Sequence, residues 1–106
     1  MIKAKYEKEG DTHRLIVLGH ANYAEYGKDI VCAGVSSLVQ ALIGYIENND
    51  YKAECMSVDD TDGEVIVSCD GGEEMTAVFN MTAIGLEQIA YSYPDHVQID
   101  IIGIAD

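Results

Sequence analysis

The chain has 106 residues, which fits one domain of ordinary size over residues 1–106, and 48% of them are apolar, enough to build a hydrophobic core. Nineteen acidic residues against six basic ones give a formal net charge of −13, which argues against direct binding to nucleic acid or to an anionic membrane. The charge favours a basic protein partner, although an acidic surface that only keeps the protein soluble is the commoner meaning of such a charge.

The cysteines and the N-terminal residues indicate the compartment. The three cysteines, Cys32, Cys55 and Cys69, are an odd number, lie far apart and form no CxxC pair, which is typical of free thiols in a reducing compartment. The first ten residues, MIKAKYEKEG, lack the apolar segment of a signal peptide, and no apolar run is expected to reach the length of a membrane span. We therefore expect a cytoplasmic protein with no membrane partner.

The first half of the chain predicts two strands and a helix. Residues 2–8 alternate between apolar and polar, which predicts a half-buried strand. A turn at residues 10–11 leads into a second strand at 12–19, which we expect to form a hairpin with the first and to be central and covered on both faces. From Ile30, apolar residues repeat at steps of three and four, which predicts a helix that ends near residues 48–49. Its predicted buried stripe consists of Cys32, Val35, Val39, Leu42 and Ile46.

The second half predicts a hairpin, a second helix and a last strand. Strands at residues 52–58 and 64–69, joined by a turn at 59–63, precede a helix at 75–93. That helix is apolar on nearly all sides and must be covered on more than one, for which a homodimer interface is one solution. With a final strand at 96–102, the order ββαββαβ predicts an α+β domain in which two helices pack on a mixed or antiparallel sheet.

The most chemically suggestive stretch joins the second strand to the first helix. His20 falls at the end of the strand and Cys32 in the first helical turn, so one short loop separates them. The positive end of a helix stabilises a thiolate, and a nearby imidazole can take the thiol proton and return it to a leaving amine. The amides of the first helical turn are candidates to hold an oxyanion. A cysteine nucleophile with a histidine base is therefore one hypothesis.

Two points weigh against this hypothesis. Asp29, the predicted N-cap, would place a carboxylate close to the Cys32 thiolate and disfavour it. Either backbone amides absorb the Asp29 charge, or the carboxylate turns toward His20 as the third member of a triad. In addition, Cys32 lies on the apolar stripe of its helix, so a buried core thiol beside a structural histidine is an equally open interpretation.

Residues around the pair are candidates for substrate binding. Tyr23, Tyr26 and Gly27 give the loop a composition that suits contact with an extended peptide or closure over a site, although the tyrosines would also pack well over the helix end. Ser36, one turn beyond Cys32 on the same face, is placed to line a pocket or to bond a helix carbonyl.

We expect no metal site and no cofactor. The acidic segment from Asp59 to Glu64 lacks the spacing of a calcium loop, and the cysteines lack further ligands for zinc. The remaining histidines, His13 and His96, are interpreted as surface or strand-end residues.

The stretches GHA at Gly19–Ala21 and YGKDIVCAGVS at Tyr26–Ser36 resemble the ribosomal-processing cysteine protease (Prp) family, whose motif pairs a GHA histidine with a DIVCA cysteine at this spacing. The resemblance implies a small α+β homodimer that removes a short N-terminal extension from a large-subunit ribosomal protein, cutting after an aromatic residue and before a small one. It implies that Cys32 is the nucleophile, that His20 is the general base and acid, and that Gly19, Asp29 and Ser36 support the site. The segment at residues 22–28 would correspond to the mobile loop of the family.

Two classes of function follow. The first is a cysteine endopeptidase with a Cys32–His20 dyad. The second is a non-catalytic, ribosome-associated module that binds a basic partner and keeps Cys32 in its core. Acyl transfer on another substrate would use the same dyad.

Overall fold

A computed structural model of the protein describes residues 1–25, 27–59 and 63–102, without the side chains of Glu54 and Cys55. It confirms the predicted order ββαββαβ. The elements are β1 (Ile2–Glu9), β2 (Thr12–Leu18), α1 (Ile30–Asn48), β3 (Ala53–Asp59), β4 (Glu64–Asp70), α2 (Gly72–Ser92) and β5 (Val97–Ile102).

The strands form one mixed five-stranded sheet in the order β3-β4-β2-β1-β5. β1 and β2 form the predicted antiparallel hairpin, and β2 continues antiparallel to β4, which pairs with β3. β5 returns after α2 to lie parallel to β1. The register places Tyr6 opposite Leu15 and Leu15 opposite Val67, so the apolar residues of neighbouring strands share one face.

β2 is central, as predicted, but it is covered on one face only. His13, Leu15 and Val17 are buried against the helices, whereas Arg14 and Leu18 on the opposite face are exposed. The prediction of two covered faces is therefore wrong. The physical reason is that α1 and α2 pack against each other on the same side of the sheet and share one core with it.

α1 begins at the predicted N-cap and buries almost the predicted stripe. Its buried residues are Val31, Val35, Val39, Leu42 and Ile46, while Cys32 is only half-buried beside them. By length and composition alone, α1 is also long and apolar enough to cross a membrane, contrary to the expectation from the sequence. The core helix of a soluble protein meets the same criterion, and the buried stripe of α1 packs into the hydrophobic core of this domain.

α2 begins three residues earlier than predicted and packs closely on α1. Glu73 and Glu74 lie in its first turn, where negative charge is favoured by the helix dipole. A Cβ at Gly85 would lie 2.8 Å from the end of the Leu38 side chain of α1, so the two helices approach closely at this glycine. Away from the core, α2 leaves Met81 and Ile84 exposed at 67% and 55%.

A buried polar chain links the β1–β2 hairpin to α2. The Tyr6 hydroxyl lies 2.7 Å from His13 Nδ1, and His13 Nε2 lies 3.2 Å from Thr76 Oγ1, which donates to the Gly72 carbonyl. Because Thr76 uses its proton on Gly72, the consistent assignment has His13 Nε2 donating to Thr76 and Tyr6 donating to His13 Nδ1. His13 is thus a fully buried residue, and its interpretation as a surface residue is wrong.

Burial also shifts the pKa values of two residues in this hydrogen-bonded chain, His13 and Tyr6. It lowers the pKa of His13 below its ordinary value, mainly by desolvation of the charged imidazolium, with a smaller contribution from Lys8. Desolvation also raises the pKa of Tyr6 to about 12. Both groups are therefore held neutral in the folded protein.

Candidate active site

The site begins where β2 ends and the chain leaves the sheet at Gly19. Gly19 has a φ of +93°, and a Cβ there would lie 2.5 Å from the Met1 carbonyl oxygen, so only glycine fits. Its N–H donates to the Gly63 carbonyl at 2.8 Å. This turn brings His20 out of the sheet and leaves its side chain exposed.

Gly63, which precedes β4, lies directly against the His20 ring. Its φ is +66°, and a Cβ at this position would lie 2.9 Å from His20 Nε2 and 2.7 Å from the Gly19 carbonyl oxygen. The absence of a side chain at Gly63 is therefore what allows the imidazole to take its position. The sequence pattern predicts Gly63 only as part of the turn at residues 59–63.

Ala21 connects the histidine segment to the cysteine. Its N–H donates to Cys32 Sγ at 3.3 Å, and its carbonyl accepts from His96 Nδ1 at 2.8 Å. Ala21 is 1% exposed, whereas Asn22 and Tyr23 beyond it are exposed. The residue that follows His20 therefore contacts the sulfur of Cys32 directly, and the two predicted catalytic residues come together.

Asp29 caps α1 and ties the loop to it. One carboxylate oxygen accepts from the N–H groups of Val31 at 3.0 Å and Cys32 at 2.9 Å, and the other from Tyr23 at 2.9 Å and Ala24 at 3.3 Å. Desolvation acts to raise the pKa of the Asp29 carboxyl, but the four backbone donors outweigh it and hold the pKa below its ordinary value.

This arrangement resolves the alternatives for Asp29. Backbone N–H groups stabilise the Asp29 charge, which is the first of the two alternatives. The two carboxylate oxygens are directed to those N–H groups and not to His20, as a triad would require. The same contacts occupy the amides of Val31 and Cys32, while the Ala33 N–H donates to the Asp29 carbonyl at 3.1 Å. The expectation that first-turn amides hold an oxyanion is therefore wrong for these three groups.

His20 and Cys32 line the same cavity, which has a volume of about 750 Å³. Most of the predicted site residues surround it. Those that line it are Gly19, His20, Gly27, Asp29, Cys32 and Ser36. Tyr23 is not among the described lining residues, because its ring packs edge-on against Tyr93 and His96 at centroid distances of 5.3 and 5.2 Å. Tyr26 lies outside the described residues.

The cavity continues away from the cysteine as a groove between α1 and the β3–β4 hairpin. Its apolar lining comes from Val39 and Ile43 of α1 and from Val58 and Val65 of the hairpin. Asp59 and Glu64 add carboxylates to the hairpin side. Sequence reasoning missed this groove, because the hairpin residues follow Cys32 by more than 25 positions and no local motif marks them.

His96 is a second contributor that the sequence did not reveal. It directly precedes β5 and is half-buried, and its hydrogen bond to Ala21 spans 75 positions of the chain. Among the residues that the structure describes, no group of three or more His, Cys, Asp or Glu side chains is arranged to hold a metal ion.

Comparison with known proteins identifies the family. The family model for cysteine protease Prp matches residues 1–98 of the chain. The chain belongs to the Prp cysteine protease family. Within this family, the ribosomal processing cysteine protease Prp of Mycoplasma genitalium is 30% identical over 91 residues, which cover 81% of this chain and 85% of the relative. The protein of the same name from Staphylococcus aureus is 29% identical over 94 residues, covering 87% and 89%.

Solved structures confirm the fold. The crystal structure of the essential ribosomal processing protease Prp from Staphylococcus aureus, in complex with a covalently linked product peptide, has a TM-score of 0.85 at 23% identity and covers 95% of this chain and 99% of that one. A crystal structure from Streptococcus mutans has a TM-score of 0.78 at 28% identity, covering 96% and 94%. The protein is thus a cysteine protease of the ribosomal-processing family, with two helices on a five-stranded sheet.

Proposed function

We propose that this protein is an endopeptidase in which Cys32 attacks the scissile carbonyl and His20 acts as general base and then general acid. The observation that carries the proposal is the shared cavity, into which both residues are brought by the contact between Ala21 and the Cys32 sulfur. A cysteine protease needs a thiol nucleophile, a proton carrier and room for a peptide beside them. The cavity lined by Cys32 and His20 supports this proposal, because it places a thiol and an imidazole beside a space of about 750 Å³.

The proposed reaction uses residues of this chain alone. His20 takes the thiol proton, Cys32 Sγ bonds to the carbonyl carbon, and His20 returns the proton to the leaving amine. Water then hydrolyses the resulting thioester. The Ala21 N–H stabilises negative charge on the sulfur before the attack. Asp29 acts at a distance from the bond-breaking step, by joining the loop to the helix that carries Cys32.

The groove supports a proposal for the substrate. Its apolar lining of Val39, Ile43, Val58 and Val65 suits an aromatic side chain before the cleaved bond, and Glu64 with the net charge of −13 favours a basic polypeptide. Ribosomal proteins are basic, and the named relatives are ribosomal processing proteases. We infer that the substrate is the N-terminal extension of a large-subunit ribosomal protein. Gly19, Gly27 and Ser36, together with Tyr23 and Tyr26 from the loop, are proposed to bind it.

A thiol-reactivity measurement tests the nucleophile. The folded protein is treated with iodoacetamide, and the alkylation of each cysteine is followed by peptide mass mapping. Cys32 is half-buried beside the cavity, whereas Cys69 is 0% exposed and serves as an internal control. We expect Cys32 to react at least tenfold faster than Cys69 in the folded protein, and at an equal rate in denaturant. An unreactive Cys32 would instead favour the non-catalytic binding module.

We also propose that two copies associate through α2. Its exposed face carries Met81 and Ile84, and Tyr91 continues the same face at 87% exposure. Each copy carries a charge of −13, so two copies can approach only through a surface with few acidic groups, and between Met81 and Tyr91 this helix carries a single acidic residue, Glu87. The expected result is a dimeric mass at micromolar concentration that becomes monomeric in an Ile84→Glu variant. A monomeric wild-type mass would contradict the proposal.

The cysteines favour the cytoplasm as the site of action. Cys32, the proposed nucleophile, is a free thiol in the structure. A catalytic thiol needs a reducing compartment to stay active, and ribosomal proteins are made in the cytoplasm. Fractionation of cells that carry a tagged chain tests this placement, and recovery of the protein outside the cytoplasm would contradict it.

A further inference from the structure

His96 is held in place by the turn between α2 and β5. Its backbone N–H donates to the Tyr93 carbonyl at 2.9 Å, and its carbonyl accepts from the Ile2 N–H at 2.9 Å. The Tyr23 ring lies edge-on against its imidazole. The side chain of His96 therefore projects from a backbone that is fixed by contacts outside the loop that joins β2 to α1.

The contact between His96 and Ala21 has a defined polarity. The Ala21 carbonyl is only an acceptor, so His96 Nδ1 must carry the proton and donate across the 2.8 Å between them. Ala21 itself is 1% exposed and lies between two residues with left-handed backbone, Gly19 at φ +93° and Asn22 at φ +54°. The chain therefore changes direction on both sides of Ala21, and the His96 contact fixes its carbonyl between these two turns.

We propose that His96 is a positioning residue for the active site, which holds the Ala21 N–H against Cys32 Sγ. The Ala21 carbonyl is fixed by His96, and this places the N–H of the same residue 3.3 Å from the sulfur. That N–H stabilises the thiolate and sets the distance between Cys32 and the adjoining His20. His96 is absent from the described lining of the cavity, so it acts through Ala21 and not by contact with a peptide. The inference rests on the proposed role of Cys32 as nucleophile.

Two substitutions separate the hydrogen bond from ring packing. In His96→Asn, the side-chain Nδ2 lies the same number of bonds from Cα as the histidine Nδ1, so a donor is kept while the ring is lost. In His96→Phe, the ring against Tyr23 is kept and the donor is lost. A His96→Leu variant replaces His96→Phe if the latter does not fold, as judged by its thermal unfolding. Each protein is alkylated at Cys32 with iodoacetamide at pH 7 and assayed for peptide cleavage.

The expected result is a roughly two- to tenfold slower alkylation of Cys32 in His96→Phe, the range set by one neutral hydrogen bond. The alkylation rate of Cys32 in His96→Asn should stay within about twofold of the wild-type rate. In the cleavage assay, kcat should fall in His96→Phe with little change in KM. The inference would be overturned if Cys32 were alkylated at the same rate in the wild type and in His96→Phe. It would also be overturned if the alkylation rate fell by the same factor in His96→Phe and His96→Asn. An unreactive Cys32 in the wild type would overturn the proposed function itself, so the two failures are distinguishable.

Discussion

Substitution of Gly63 by alanine should inactivate the protein through His20 while leaving most of its stability in place. The new Cβ would lie 2.9 Å from His20 Nε2 and 2.7 Å from the Gly19 carbonyl oxygen. Optimal separations between such non-bonded atoms are about 3.5 Å or more, so the imidazole must move by roughly 0.5–1 Å. A displacement of about 1 Å of a catalytic group costs on the order of 100-fold in rate.

Gly10 provides a matched control for the backbone strain. Its φ of +60° is close to the +66° of Gly63, and a Cβ there would meet nothing within 4 Å. Alanine at either position adopts a left-handed conformation at a cost of about 1–2 kcal/mol, which lowers Tm by roughly 4–16 °C in a domain of this size. Gly10→Ala should therefore show the loss of stability without the loss of activity.

The assay compares kcat/KM for peptide cleavage with Tm in the two variants. We expect Gly63→Ala to lose one to two orders of magnitude more activity than Gly10→Ala. Its Tm should also be the lower of the two, because its Cβ meets the backbone oxygen of Gly19 and that of Gly10→Ala meets nothing. If the two variants lost the same activity, the His20 ring would not depend on the space above Gly63. The assignment of His20 to the reaction would then lose its geometric support.

Two further predictions concern the loop cap and the buried histidine. Asp29→Ala removes the acceptor of four backbone N–H groups, so the free energy of unfolding measured by urea denaturation should fall by about 1–2 kcal/mol. Asp29→Asn should give an intermediate decrease. A decrease below about 0.5 kcal/mol for Asp29→Ala would contradict the capping role. For His13, the pKa in the folded state lies below its ordinary value of 6.5, so only the unfolded chain takes up the proton as the pH begins to fall below 6.5. The free energy of unfolding should then drop by up to about 1.4 kcal/mol per pH unit until the folded pKa is reached, and should be unaffected by this group above pH 7. His13→Asn should remove this part of the pH dependence, and identical pH profiles for the variant and the wild type would show that His13 does not cause it.

Local patterns predicted the order of elements well, because each element carries its own periodicity. The alternation of β1 and the steps of three and four in α1 follow directly from the geometry of strand and helix. The motif from Gly19 to Ser36 predicted six of the residues that line the cavity. The lining residues of this stretch that were not predicted as site residues are Asn22, Ala24, Ala33 and Val35. Strand and helix ends differed by up to three residues, as at the start of α2.

Features that depend on long-range packing could not be predicted. The sequence LIVL in β2 is compatible with helices on one face of the sheet or on both faces. The packing of α1 on α2 determines that one face is covered. His13 is buried because Tyr6 and Thr76 satisfy both ring nitrogens, and these partners lie 7 and 63 positions away. The contributions of Gly63 and His96 likewise come from contacts between distant segments.

Cys32 shows that one position along a helix separates a fully buried side chain from one that reaches a cavity. The predicted stripe started with Cys32, but the structure buries Val31, one residue earlier, at 1% exposure. One residue corresponds to about 100° around a helix, so the shift leaves the thiol at the margin of the core and beside the cavity. Cys32 thus packs against the core and also lines the cavity, and the alkylation measurement decides between a core thiol and a nucleophile.

The most direct test of the central claim is a cleavage assay analysed by intact mass. Purified wild-type protein and a Cys32→Ala variant are each incubated with a large-subunit ribosomal protein that carries its N-terminal extension. The account predicts that the wild type removes the extension and that Cys32→Ala leaves it intact while still binding the substrate. Removal of the extension by Cys32→Ala at the wild-type rate, or no cleavage by either protein despite binding, would contradict it.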